Sequence, residues 1–138
     1  MVAGADERAI ARVVGEVTCG GGTARHAPGA LSQAERVQAA IARTLEVFER
    51  LDVVVVGDPE VDPRPLARAL EGKLTEPTAR LLFLYPAPLD RWTGPAPCNA
   101  IVWTGGAEAD LDNVGELAVF LCSRAAEGIT RQTIALSS

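Results

Sequence analysis

Apolar positions along the chain change their period several times, and the changes mark out its elements. From Asp6 to Val17, Ile10, Val13, Val14 and Val17 recur at helical spacing, and Gly20-Gly21-Gly22 follow, where glycine can end a helix. Thr23 to Ala27 is a short mixed run that predicts a brief strand before the Pro28-Gly29 turn. Ser32-x-x-Glu35 reads as a capping box, and Val37, Ile41, Leu45 and Phe48 share one face, which predicts a helix over Ser32 to Arg50. The run Leu51-Asp52-Val53-Val54-Val55-Val56 has no polar face, as expected of a strand covered by helices on both sides.

Asp62-Pro63 pairs an N-cap with proline at the first helical position, and Leu66, Ala69, Leu70 and Leu74 give that short helix its apolar stripe. Arg80 to Tyr85 predicts a second buried strand. The proline-rich stretch from Pro86 to Pro97 lacks periodicity and predicts a surface loop. Asn99 to Trp103 is strand-like again. Asn113-x-x-Glu116 offers another capping box, with Leu117, Phe120 and Leu121 on the apolar face, Gly128 as the stop, and Thr130 to Leu136 as a terminal strand. Strands alternating with helices predict one α/β domain over residues 1–138: about five mostly parallel strands with helices on both faces, a three-layer Rossmann-like arrangement.

Composition narrows the chemistry. The chain has 138 residues, 48% hydrophobic and 22% charged, with a net charge of −5. No Lys/Arg cluster is dense enough to neutralise a run of phosphates, so nucleic acid is not an expected partner. No apolar run nears the roughly 18 residues of a membrane span, and the acidic opening segment is unlike a secretion signal, so a cytoplasmic location is expected. Cys19, Cys98 and Cys122 form no C-x-x-C pair, and His26 is the only histidine, so neither a metal site nor a disulfide framework is expected. His26 without a Gly-x-Ser-x-Gly elbow gives no hydrolase signal. Gly105-Gly106 stands between a strand and a helix, but Glu108, Asp110 and Asp112 would repel an anion there. Asp90, Arg91 and Trp92 cluster in the proline-rich loop, read either as a partner contact or as a collapsed shortcut across a deleted helix.

Two stretches resemble the short-chain dehydrogenase/reductase family of NAD(P)-dependent Rossmann-fold oxidoreductases. The first runs from about Ala9 to Val56, through the Gly21-Gly22-Thr23-Ala24 turn and Leu45 to Val55. The second covers Asn99-Ala100-Ile101 and Glu116 to Ser123, then Gly128 to Leu136. Together they take in about two thirds of the chain and resemble the family's structural elements in order. The family's functional landmarks do not carry over. Its glycine-rich fingerprint follows a strand, whereas Gly20-Gly21-Gly22 follows a helix. Its Asn-Asn-Ala-Gly corresponds to Val56-Gly57-Asp58-Pro59, its adenine-side aspartate to Ala30, and its catalytic serine region to Tyr85-Pro86. Its Pro-Gly corresponds to Trp103-Thr104. Its Tyr-x-x-x-Lys pair has no counterpart, since Tyr85 and Lys73 are the only residues of their types and stand in the wrong order.

The resemblance thus implies a truncated member with no cofactor and no catalytic set. In the family the last helix and strand build a subunit interface, which here points to Leu117, Phe120, Leu121, Ile129, Thr133, Ile134 and Leu136, with Trp92 added from the loop. The leading expectation is a non-catalytic subunit that assembles through these elements with itself or with an intact dehydrogenase. The alternative is a cofactor-independent isomerase, cyclase or lyase that keeps a small molecule in the old cleft, with Tyr85, Asp58 or Asp90 as the proton-transfer group. The strand order of the full fold also places its first strand beside the fourth. Val53 to Val56 are then left with an open edge, to be paired by the preceding strand or covered by another chain.

Overall fold

A computed structural model describes residues 1–75, 79–87, 89, 92–103 and 108–136, with backbone alone for 103 and 108–110. Among them are six strands and four α-helices: β1 (Val2–Gly4), α1 (Glu7–Cys19), β2 (His26–Pro28), α2 (Ala34–Phe48), β3 (Val53–Val56), α3 (Pro63–Leu70), β4 (Arg80–Phe83), β5 (Cys98–Trp103), α4 (Glu108–Leu121) and β6 (Thr133–Leu136). Every strand pairing is parallel, as the alternation of strands and helices implied.

The strands form two sheets instead of the expected one: β1–β2, and β3–β4–β5–β6 in that order. β2 pairs with β1, a strand the hydrophobic pattern did not predict because three residues are too few to show a period. β2 therefore does not slide across to cover β3.

Local chemistry accounts for most boundaries. The Asp6 carboxylate accepts hydrogen bonds from the Arg8 and Ala9 N–H groups and starts α1. The triple glycine is a turn: the Gly20 and Gly22 N–H groups donate back to the Glu16 and Val17 carbonyls, and Gly21 takes a φ of 84° that glycine tolerates. Asp62 caps α3 by accepting from the Arg64 N–H, as expected. The Arg64 side chain, hydrogen-bonded to Asp62, holds that carboxyl below its usual range.

Two capping boxes fail. Gln33 is the N-cap of α2 and makes no side-chain cap bond, so Ser32 does not serve there. α4 begins at Glu108, which places Asn113 inside the helix. α4 also stops at Leu121; Ser123 then caps a 3-10 turn over Arg124–Ala126, and Gly128, with a φ of 97°, follows that turn.

The core has two halves, one on each face of the larger sheet. Strand alternation sends Leu81 and Phe83 of β4 toward α2 and α3, where they join Ile41, Val56, Leu66 and Leu70. Leu82 points the other way, to Ile101, Val114 and Leu121 beneath α4. β4 is buried throughout, as a central strand must be. β3 departs from its expectation: Val56 is buried, but Val53 and Val55 stay 38% and 49% exposed. Among the described residues, no helix covers the Val53 and Val55 face of that strand.

The proline-rich loop is a larger departure. Only residues 84–97 join β4 to β5, and within them Leu89, Trp92 and Ala96 are buried in the core half that α3 occupies. Trp92 is 4% exposed, its indole N–H donates to the Ala96 carbonyl at 3.0 Å, and its ring meets Phe83 edge-on at 6.0 Å. The described residues Leu89, Trp92 and Ala96 fold inward, and Trp92 is buried in the core.

Candidate functional site

Among the described residues, two regions carry chemistry or unsatisfied surface. The first is the carboxyl end of β3 and β4. Chain direction puts Gly57-Asp58 just past β3 and Leu84-Tyr85 just past β4, and the two strands pair in register up to Val56 opposite Phe83. Asp58 is half-buried, and its Oδ1 accepts from the Glu60 N–H at 2.9 Å. The Tyr85 hydroxyl donates to the Val61 carbonyl at 3.4 Å, and its ring packs edge-on against Phe83 at 5.4 Å.

Burial pushes the Tyr85 phenol above its usual range, and the carboxylates of Asp58 and Asp62 push it further in the same direction. This is the opposite of what a Tyr–Lys pair achieves, because an ammonium close by lowers a phenol. Lys73, the chain's one lysine, is exposed in the turn after α3. So Asp58 and Tyr85 are brought together at the strand tips, while Asp90 and the Gly105-Gly106 pair lie outside the described residues. His26 is exposed on β2. No group of three or more His, Cys, Asp or Glu among the described residues could hold a metal ion.

Beside these tips a groove of about 720 Å³ opens between the two sheets. Ala3 and Gly4 of β1 form one wall, Val53 to Val56 of β3 the other, and Leu31, Val37, Ile41, Val61 and Leu66 the apolar floor. Asp58 stands at one end and Arg50 with Asp52 at the other; Arg50 holds Asp52 through two hydrogen bonds of 2.7 and 2.6 Å.

The second region is the outer face of α4 with the edge strand β6. Val119 is 73% exposed, Leu111 54% and Phe120 42%. Leu117, Ile129, Ile134 and Leu136 are half-buried against the core beneath α4, and Thr133 is exposed on β6. Leu121, 2% exposed, faces fully inward and, like Trp92, is spent in the core. The sequence pattern missed Leu111 and Val119. The signal was present: residues 117–121 are five consecutive apolar residues, which wrap a helix on all sides instead of filling one stripe.

Neither a family model nor a curated protein sequence matches the chain. Solved structures do. A short-chain dehydrogenase from Burkholderia cenocepacia in complex with NADP matches with a TM-score of 0.78 at 14% identity, over 98% of this chain and 84% of that one. The NADH-dependent enoyl-[acyl-carrier-protein] reductase of Aquifex aeolicus gives 0.74 at 16% identity, over 96% and 80%. A short-chain type dehydrogenase/reductase from Mycobacterium ulcerans gives 0.73 at 17% identity, over 99% and 78%. The chain has the fold of the short-chain dehydrogenase/reductases, a Rossmann-like α/β arrangement of parallel strands. At such identities the likeness is one of fold, and chemistry has to be argued from the site.

Proposed function

We propose that the chain is a non-catalytic protein of short-chain dehydrogenase fold that works by assembling, through α4 and β6, with a second copy of itself or with an intact dehydrogenase, whose site it stabilises or shapes. The observation that carries this reading is the outer face of α4. Leu111, Val119 and Phe120 stand exposed on α4 among Asp112, Asn113 and Glu116, and large apolar side chains left in solvent support an interface there. The interior of the sequence supports it. The residues joining β4 to β5 hold no Tyr-x-x-x-Lys, and Asp58-Pro59 stand where the resembling family places neutral backbone beside the dinucleotide.

Sedimentation velocity tests the proposal, on the chain alone and mixed with a short-chain dehydrogenase encoded beside it. An assembly is expected that Val119→Glu with Phe120→Glu dissociates while the far-UV spectrum is kept. A monomer indifferent to partner and to these substitutions would refute it. A second reading draws on Asp58 and Tyr85 sharing the strand tips: a cofactor-free isomerase, cyclase or lyase, with Asp90 as a third candidate. Loss of an extract activity in Tyr85→Phe and Asp58→Asn, with assembly intact, would favour that reading.

A further inference from the structure

The groove between the sheets has walls of an unusual kind, because both are strand edges. Asp52 and Val56 accept through their carbonyls from the Arg80 and Leu84 N–H groups on the β4 side. The two-residue period of a strand therefore turns the N–H and C=O of Val53 and Val55 the other way, into the groove. Across it, the Val2 N–H donates to Arg25 and the Gly4 carbonyl accepts from Gly29, both on the β2 side. The same period turns the N–H and C=O of Ala3 toward β3. The groove thus presents hydrogen-bonding backbone on two facing sides above an apolar floor.

We infer that this groove is a slot for one extended strand from a partner polypeptide, a run of four to six mostly β-branched apolar residues that joins β1 and β3 into a continuous sheet. Size agrees. A five-residue strand fills roughly 800 Å³, from a rise of about 3.3 Å per residue, about 4.8 Å between strands and about 10 Å between layers, against about 720 Å³ available. Polarity agrees as well, since only a polypeptide backbone offers donors and acceptors on both sides at strand spacing. The exposed Val53 and Val55 and the apolar floor call for apolar side chains on both faces of the guest.

A phosphate-bearing ligand fits worse. The one basic side chain among the described lining residues, Arg50, already holds Asp52, and Asp58 sits at the other end. A second copy of this chain fits worse too, because each of its described strands already sits in a sheet. The slot flanks β3, at the opposite edge of the larger sheet from β6, so it stands or falls separately from assembly through α4.

The test uses a fluorescein-labelled peptide, Lys-Lys-Val-Ile-Val-Thr-Val-Lys-Lys, added to the whole chain. Two controls of equal charge carry proline at the central valine or N-methyl groups at alternate amides. Saturable binding by anisotropy is expected for the parent peptide alone, with amide exchange at Val53 and Val55 slowed roughly tenfold or more and Val54 and Val56 unchanged. Val55→Pro should abolish binding with the fold kept, because its N–H bonds nothing on β4; should that variant unfold, the N-methylated control still decides. Equal binding of the controls, no saturable binding, or protection that spares Val53 and Val55 would overturn the inference. So would protection of these two amides by self-association or by NADH without peptide, which would assign the slot to a second copy or to a dinucleotide.

Discussion

Replacing Trp92 by alanine probes the segment that departs most from its sequence pattern. The indole is 4% exposed, meets Phe83 edge-on at 6.0 Å, and donates its N–H to the carbonyl of buried Ala96 at 3.0 Å. A buried tryptophan removes roughly 150–250 Å² from water, which at about 25 cal/mol per Å² is an upper figure of about 4–6 kcal/mol. Measured truncations of buried aromatic residues fall at about 3–5 kcal/mol, and we expect Trp92→Ala in that range. Trp92→Phe keeps most of the area but leaves the Ala96 carbonyl without its donor, for about 1–2 kcal/mol. Urea unfolding followed by far-UV circular dichroism reads both. With a slope of about 2 kcal/mol per molar, Trp92→Ala should move the midpoint down by about 2 M. A loss below about 1 kcal/mol at unchanged slope would refute the reasoning and return Trp92 to the surface as a contact residue.

Gly94 lies against the Trp92 indole, where a Cβ would collide with the ring; Gly94→Ala should cost about 1–3 kcal/mol by overpacking, read in the same urea assay, and a neutral result would contradict the packing described. Asn99, 2% exposed, donates to the Ile129 carbonyl at 2.9 Å and accepts from the Gln132 N–H at 3.0 Å; Asn99→Ala should cost about 2–4 kcal/mol and speed amide exchange over β6. Burial raises the thiols of Cys98 and Cys122, only partly offset by Arg131 and Arg80 respectively, and burial with Asp58 and Asp62 raises the phenol of Tyr85. These groups are neutral when protonated, and the unfolded chain releases their protons first. Their contribution is whole below the unfolded thiol value of about 8.5 and is lost as pH rises through it and then past the phenol's value of about 10. The urea midpoint should fall between pH 7.5 and 10.5, less steeply in Cys98→Ala with Tyr85→Phe; a midpoint that rises would contradict the sign. Iodoacetamide at neutral pH should modify exposed Cys19 first and leave Cys98 untouched until unfolding, as mass spectrometry of the labelled chain would show.

The sequence revealed those features that local chemistry determines. Asp62-Pro63 located α3, the triple glycine its turn, and the β-branched or leucine-rich runs gave β3, β4 and β5, since each signal lies within a few residues of the element it defines. Features set by distant contacts were not legible. β1 is held by β2 more than twenty residues away, and its three residues carry no period of their own. The valines of β3 promise burial on both faces whether or not a second helix covers them. The loop from Pro86 to Pro97 has the composition of a surface loop, yet Leu89, Trp92 and Ala96 fold inward because the space beside Phe83 would otherwise be empty. At the strand tips, the chemistry of Asp58 and Tyr85 could be compared by position, but the upward shift of Tyr85 required knowing that its ring is partly buried and that Asp58 and Asp62 lie near it.

Hydrogen exchange over a dilution series, with and without NADH, bears most directly on whether this fold acts by association. Peptides spanning 111–121 and 133–136 should lose protection as the protein is diluted, or gain it when a dehydrogenase is added, while NADH changes nothing. Indifference of those peptides to concentration and to partner, together with NADH protecting residues 56–58, would contradict the account.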